Sequence, residues 1–402
     1  MRKEDKAIII EQLGEKLKEY AHFYIVDVTG LNAETTSNLR RKCFASDVKM
    51  IVAKNTLLEK AFDNAEVDYS ALKPCLKGTT ALFFSNVANA PAKLIGQRKR
   101  GLITYVMALM NGARVGISAQ GTGIGEASYR AARDYAAARK QFGVTIDTFP
   151  ALRELLSDMS VELQASRILA YYSSKSVDLE FGLTKKFEAL KGTPESQDVR
   201  KRMKLYAAFN KMLTPMAKYY ASEMSMRASN GAVAVLGGSG YMKDYPVERY
   251  LRDARITTIY EGTSQLQVVA AIAGVMAGLY KDVVADIIKD IELNDTLKAK
   301  LEKVYELSAE LDSAVEYVKA HPDSKMYHDL HARQLVDAAI GVIIGALLVR
   351  FAAKFAEKEV VLDYWLAAKY PSLYAELAKA KSGYTASVVD FEALAPAVVL
   401  AD

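Results

Sequence analysis

Apolar positions follow two different periods before residue 97. Glu4 to Tyr20 repeats them at helical spacing, HFYIVDV reads as a strand and Ala33 to Phe44 as a helix. VKMIVA is then a strand, NTLLEKAF a helix and TTALFFS another strand. Such alternation predicts a small α/β layer. From Gly101 to about Ala380 helical spacing dominates, which predicts an all-α bundle followed by a further helical region. ANAPAKLIGQRKRGL, with one proline and a knot of cations, reads as a linker or seam between the two. The expected organisation is 1–97, 98–280 and 281–402.

Several stretches of the helical part carry chemistry. Five glycines lie between Asn111 and Phe142, each costing about 1 kcal/mol against alanine in a helix interior, so something packs close to this backbone. The GxGxG at Gly121 to Gly125 follows no strand and opens no βαβ unit, which rules out a dinucleotide fold. Thr214-Pro215 predicts a helix start, and LGGSGY a glycine stop. Ser264 and Gln267 have the spacing of a capping box, with Leu266, Val269, Ala270, Ala273 and Met276 continuing an apolar face. Glu261 therefore falls in the turn before a helix. Two roles are open to it on pattern alone. It complements the positive helix end, or, pressed among Ile259 and Tyr260 and short of water, it acts as a general base, with Gly262 leaving room for a substrate. His328 and His331 stand three apart without a supporting Cys or carboxylate array, so no metal site is expected and both read as surface histidines. Leu297, Leu301, Val304, Leu311, Val315 and Val318 form a heptad-like stripe that reads as packing within the extension.

Composition alters this picture little. The 402 residues are 51% hydrophobic and 25% charged, as in a soluble protein of two or three domains. A net charge of +5 is dispersed and announces neither nucleic acid nor membrane. Two cysteines, Cys43 and Cys75, suggest a reducing, cytoplasmic setting. The opening residues do not have the make-up of a secretory signal. Ala338 to Val349 is too short an apolar run for a bilayer and predicts a buried helix. Local cations do stand out before residue 97: Arg40, Arg41 and Lys42 close a helix, Lys54-Asn55-Thr56 opens another, and Lys77-Gly78 precedes a strand. Helix N-termini and strand ends flanked by cations suit phosphate oxygens, but the same residues also cap helices and solvate a surface. The pattern leaves both open.

Two family resemblances narrow these alternatives. MRKEDKAIIIEQL, FYIVDVTGLNAETTSNLRRKCF, VKMIVAKNTLLEKAF and LKGTTALFFSNVANAPAKLI together resemble the N-terminal domain of bacterial ribosomal protein L10, incomplete at its end. That resemblance implies a domain that binds large-subunit ribosomal RNA, through Gly30, Arg40, Arg41, Lys54, Asn55, Thr56, Lys77 and Gly78.

MNGARVG, RAARDYAAARKQFG, LGGSGYMKDYPVERYLRDARI and IYEGTSQLQ resemble the C-terminal domain of the acyl-CoA dehydrogenases from about Gly101 to Tyr280, and residues 281–402 are similar to the helical extension of the larger members. The family's chemistry implies an FAD-dependent oxidoreductase that desaturates an acyl-CoA thioester: Glu261 takes the α proton while a hydride leaves to flavin. Where some members place the base on an earlier helix, this chain has Ala113. The resemblance also implies Asn111, Arg114, Tyr260 and Gly262 at the acyl-CoA, and Arg139, Phe142, Gly237, Gly238, Thr263 and Gln265 at FAD. Ala234 replaces a glutamine that the family sets against the cofactor. Electron-transfer flavoprotein as acceptor and a homo-oligomer are further family expectations. The family's N-terminal and middle domains are replaced by the L10-like segment, so the resemblance implies impaired activity. The alternatives are an rRNA-binding stalk-base protein, or a chimera with no function as a whole.

Overall fold

The computed structural model describes residues 3–86 and 107–397, and the chain divides into two units, Met1–Arg98 and Lys99–Asp402. The expected seam ANAPAKLIGQRKRGL lies outside the described residues.

In the first unit, helices α1 (Lys3–Glu19), α2 (Ala33–Ala45) and α3 (Asn55–Asp63) alternate with strands β1 (His22–Asp27), β2 (Lys49–Val52) and β3 (Thr80–Ser85). The sheet is antiparallel in the order β1-β3-β2, with Leu82 opposite both Ile25 and Ile51. The central place of β3 follows from its composition: TALFFS is apolar at almost every position, and a strand covered on both faces needs that. Alternate residues serve opposite layers. Leu82 and Phe84 join Leu13, Leu17, Leu57, Leu58 and Phe62 on one side, while Ala81 meets Cys43 and Met50 on the other. Asn32 starts α2 by accepting the Thr35 amide at 2.7 Å.

Among the described residues, the second unit is helical apart from one small hairpin and its connecting turns. Its elements are α4 (Met107–Ala138), β4 (Lys140–Gln141), β5 (Val144–Thr145), α5 (Pro150–Ala189), α6 (Ser196–Leu236), α7 (Gly238–Tyr241), α8 (Val247–Thr257), α9 (Ser264–Met276) and α10 (Leu279–Ile288). They continue with α11 (Asp295–Ala320), α12 (Ser324–Lys354), α13 (Glu359–Tyr364) and α14 (Tyr370–Ala380). The central element is α6, against which α4, α5, α8 and α9 pack. The GxGxG lies wholly inside α4. A Cβ at Gly121 would sit 2.7 Å from the carbonyl oxygen of Ala221, so the α4 and α6 backbones touch at that point.

Residues beyond 281 share a core with the bundle. Leu169, Phe209, Leu213 and Ile272 belong to one buried cluster with Val304, Leu311, Ile343, Leu347 and Leu377, and the expected stripe on α11 is buried there. By length and composition α12 is apolar enough to cross a membrane, and most of that stretch is buried among the other helices.

Two local expectations are corrected. Thr214-Pro215 does not start a helix, because α6 runs straight through it. Proline costs a helix about 3 kcal/mol. Here Met212, Leu213 and Met216 are buried on either side, and the Thr214 hydroxyl donates to the Asn210 carbonyl at 2.8 Å, so packing outweighs the lost amide. His331 is not a surface residue. Only 1% exposed, it packs its ring 4.3 Å from that of Tyr327, with Nε2 3.3 Å from the Tyr384 carbonyl, because the chain after α14 folds back over it. His328 is partly exposed beside Asp329, and among the described residues no cluster of three or more metal-ligating side chains forms.

Candidate functional site

Between α8 and α9 the chain makes a tight turn, closed by the Ser264 amide donating to the Thr258 carbonyl at 2.9 Å. Glu261 and Gly262 at its tip have φ of 53° and 92°. The left-handed region costs a residue with a Cβ roughly 1 kcal/mol, so the surroundings must impose it on Glu261. At Gly262 a side chain would also collide, since a Cβ would lie 2.8 Å from Gln267 Nε2.

The turn moves the helix cap by one residue from its expected place. Extended backbone resumes only at Thr263, ψ 163°, so Thr263 accepts the Leu266 amide at 3.4 Å and Ser264 is already helical. Ser264 instead donates its hydroxyl to Glu223. Gln267 closes no capping box: its Nε2 donates to the carbonyls of Glu261 at 3.1 Å and Gly262 at 3.0 Å.

Cations face the turn from α4 and α6. Arg114, 8% exposed, donates to Asn111 Oδ1 at 3.3 Å, and the same oxygen accepts from the Thr214 hydroxyl at 3.3 Å. Burial holds the Arg114 guanidinium below its ordinary range, and the charge of Glu261 opposes that. Lys218 has no exposed surface and donates to the Gly262 carbonyl at 2.7 Å. Burial pushes its ammonium down to about 8; Arg114 adds to the fall, while Glu223 and Glu261 work against it. Tyr260 donates its hydroxyl to Gln120 of α4. Glu261 itself is half-buried. Among the described residues, the amides of Glu261, Gly262 and Thr263 make no well-aligned hydrogen bond.

Glu261, Gly262, Tyr260, Arg114 and Asn111 therefore come together. Lys218, Gln267 and Gln120 are participants that sequence reasoning missed. For Lys218 a signal existed: it is the one charge in the otherwise apolar run PMAKYYA of a buried helix.

The residues assigned to a cofactor fall into two groups. Thr263 and Gln265 are exposed beside Glu261. Arg139 and Phe142 lie past the far end of α4, Phe142 being 87% exposed at φ 51°. Tyr135 Oη donates to Ser239 Oγ at 3.4 Å, which brings the Gly237-Gly238 stop of α6 to that same end. The helix from Gln120 to Ala138 separates the two groups by about 27 Å. A Cβ at Gly237 or Gly238 would meet nothing within 4 Å, so that end is an open ledge and not a closed cradle.

In the first unit Lys54, Asn55, Thr56 and Gly78 line one hollow of about 460 Å³ with Val52, Ala53 and Thr79. Asn55 Nδ2 donates to the Gly78 carbonyl at 3.0 Å, leaving its buried Oδ1 without a partner. The Thr79 amide donates to Thr29 Oγ1 at 2.7 Å, which brings the Gly30 loop alongside. Arg40 and Arg41 are exposed on α2, and Lys77 is exposed next to Gly78.

Comparison with known proteins gives this geometry a family context. Residues 1–99 match the family described as ribosomal protein L10. Residues 100–192 and 196–276 match the acyl-CoA dehydrogenase C-terminal domain, and residues 277–364 a further family described as acyl-CoA dehydrogenase C terminal. A short-chain-specific acyl-CoA dehydrogenase of Clostridium acetobutylicum is 33% identical over 213 residues, covering 52% of this chain and 49% of that protein. Large ribosomal subunit protein uL10 of Flavobacterium psychrophilum is 52% identical over 95 residues, covering 24% of this chain and 57% of that protein. The chain thus spans about half the length of the curated relatives it matches. In fold it is similar to an acyl-CoA dehydrogenase from Bacillus anthracis solved with FAD, at TM-score 0.57 and 17% identity over 76% of this chain and 53% of that one. Along the chain, a match to the ribosomal protein L10 family is thus followed by matches to two C-terminal families of the acyl-CoA dehydrogenases, the order expected of a chimera.

Proposed function

We propose that the helical unit carries the proton-abstracting half of an acyl-CoA dehydrogenase site, with Glu261 as the base. The observation that supports this reading is the Glu261 turn: a half-buried carboxylate in a left-handed conformation, beside two buried cations and next to amide N–H groups that make no well-aligned hydrogen bond among the described residues. An α proton of a thioester becomes acidic only if charge developing on the carbonyl oxygen is stabilised, and a free amide donor with cations nearby supplies such stabilisation. Glu261 would take the proton, and Arg114 with Asn111 would orient the acyl-CoA.

Flavin, when bound, supplies the hydride acceptor. The residues assigned to it fit only in part. Thr263 and Gln265 offer polar contacts near the base, whereas the Arg139, Phe142, Gly237 and Gly238 ledge is open and about 27 Å away along α4, so it suits a cofactor lodged against another chain. A homo-oligomer follows from that reading, as does electron-transfer flavoprotein as the electron acceptor. Turnover in this chain is slow or absent. Ile256, Ile259, Leu266 and Val269 around the turn are 45–57% exposed, so in this unit water reaches the surface where the chemistry needs exclusion.

A visible spectrum of the purified chain with added FAD, then titrated with butyryl-CoA, tests the reading. A bound flavin whose band bleaches with the native chain and not with Glu261→Gln supports it. A chain that takes up neither FAD nor butyryl-CoA refutes it.

For the first unit, the hollow lined by Lys54, Asn55, Thr56 and Gly78, with exposed Lys77 beside it and exposed cations on α2, supports a second reading: contact with ribosomal RNA. A cytoplasmic location suits both readings. Salt-sensitive co-sedimentation with large ribosomal subunits tests the RNA contact.

A further inference from the structure

A lysine with no exposed surface requires a reason. Burying an ammonium costs several kcal/mol unless its protons find strong acceptors, and a methionine or leucine would fill the same space on α6 more cheaply. Among the described residues Lys218 has no ion pair within 4 Å; its one hydrogen bond goes to the Gly262 carbonyl, at 2.7 Å. Such charge-assisted bonds are short and strong.

That carbonyl also accepts from Gln267 Nε2, which binds the Glu261 carbonyl as well. Two successive carbonyls are thus drawn towards buried donors on α6 and α9. Because a trans peptide is planar, its N–H points opposite to its C=O. The amides of Gly262 and Thr263 must then face away from those donors, and neither makes a well-aligned hydrogen bond among the described residues. This pull acts with the Ser264–Thr258 bond that closes the turn to offset the strain of Glu261 at φ 53°.

We propose that Lys218 is a positioning residue for Glu261: its buried ammonium holds the Gly262 carbonyl and so keeps the turn in the left-handed form that presents the carboxylate and the free amides. The proposal rests on Glu261 being the base, but the conformational part is separately measurable. The groups facing Lys218 are Arg114 from α4, Glu223 on its own helix and Glu261 in the turn. With the ammonium pushed down to about 8, its loss of charge falls in a convenient pH range.

The full chain, labelled with 15N at glycine and threonine, is followed by amide NMR from pH 6.5 to 9.5. Lys218→Met and Lys218→Arg are compared with it, and butyryl-CoA affinity is measured in parallel. In the native chain the Gly262 and Thr263 amides shift with a midpoint near pH 8. Lys218→Arg keeps their positions but loses the shift, because guanidinium stays charged; Lys218→Met displaces both amides and weakens butyryl-CoA binding at least tenfold. Gly262 and Thr263 amides unmoved in Lys218→Met, or a pH 8 transition surviving in Lys218→Arg, would overturn the proposal. Should Lys218→Met not fold, the arginine variant alone decides. If butyryl-CoA fails to bind even the native chain, the catalytic reading falls, and the amide shifts still judge the clamp.

Discussion

Alanine at Gly121 and at Gly123 should move stability in opposite directions, although the two positions are two residues apart on α4. Each substitution gains up to about 1 kcal/mol of helix propensity. At Gly123 nothing lies within 4 Å of the new methyl, so that gain is kept. At Gly121 the methyl would lie 2.7 Å from the Ala221 carbonyl oxygen, 2.9 Å from its carbon and 3.3 Å from the Ser222 nitrogen, all backbone of α6. Relief requires the two helices to part by roughly half an ångström or more, which forfeits dispersion along the seam. The Ser128–Ser229 hydroxyl contact, 3.0 Å across that seam, would stretch with it. Overpacking of this kind costs about 1–3 kcal/mol. We expect Gly121→Ala to unfold at lower urea than the native chain and Gly123→Ala at higher, as read by far-UV circular dichroism. Gly125→Ala should fall between them, since its neighbour at 2.8 Å is the flexible end of Met224. If Gly121→Ala is as stable as Gly123→Ala, the claim that α4 and α6 meet backbone to backbone is wrong.

Other outcomes follow from single groups. Burial raises the Asp337 carboxyl to about 6, so the folded state holds this proton more tightly than the unfolded chain; the stability it gives is complete below about pH 4 and is lost as pH rises to 6. Asp337→Asn should remove that part of the pH profile, and an unchanged difference between pH 4 and 6 would contradict it. Thr263→Ala removes the α9 cap and should cost about 0.5–1 kcal/mol in urea unfolding, whereas Ser264→Ala leaves the cap intact. If the first unit meets RNA through the hollow at Lys54, Lys54→Ala should weaken binding to large-subunit RNA about equally for all sequences and lower the salt slope by about one; an unaltered slope would exclude that contact.

Periodicity made the fold class readable. The six segments picked out before residue 97 appear as elements, because apolar spacing states which face is covered. What it misjudged were points where tertiary packing overrules a local rule. Pro215 breaks helices in isolation, yet here it is held between buried methionines and a leucine. Ser264 and Gln267 have capping-box spacing, but the left-handed step at Glu261 and Gly262 shifts the entry to Thr263 and turns Gln267 towards carbonyls. No periodicity reports a positive φ at a glutamate. The cations facing the turn were only half legible: Arg114 belongs to a quoted motif, while Lys218 required knowing which face of α6 is enclosed.

The core that α11 to α14 share with α5, α6 and α9 bears on how such a chain arises and persists. Any cut near residue 280, by protease or by gene breakage, would part Ile272, Phe209 and Leu213 from the side chains of α11, α12 and α14 that complete their buried cluster. In this chain a shortened descendant would bare a broad apolar face, and the loss of stability would lower its abundance whatever became of its chemistry.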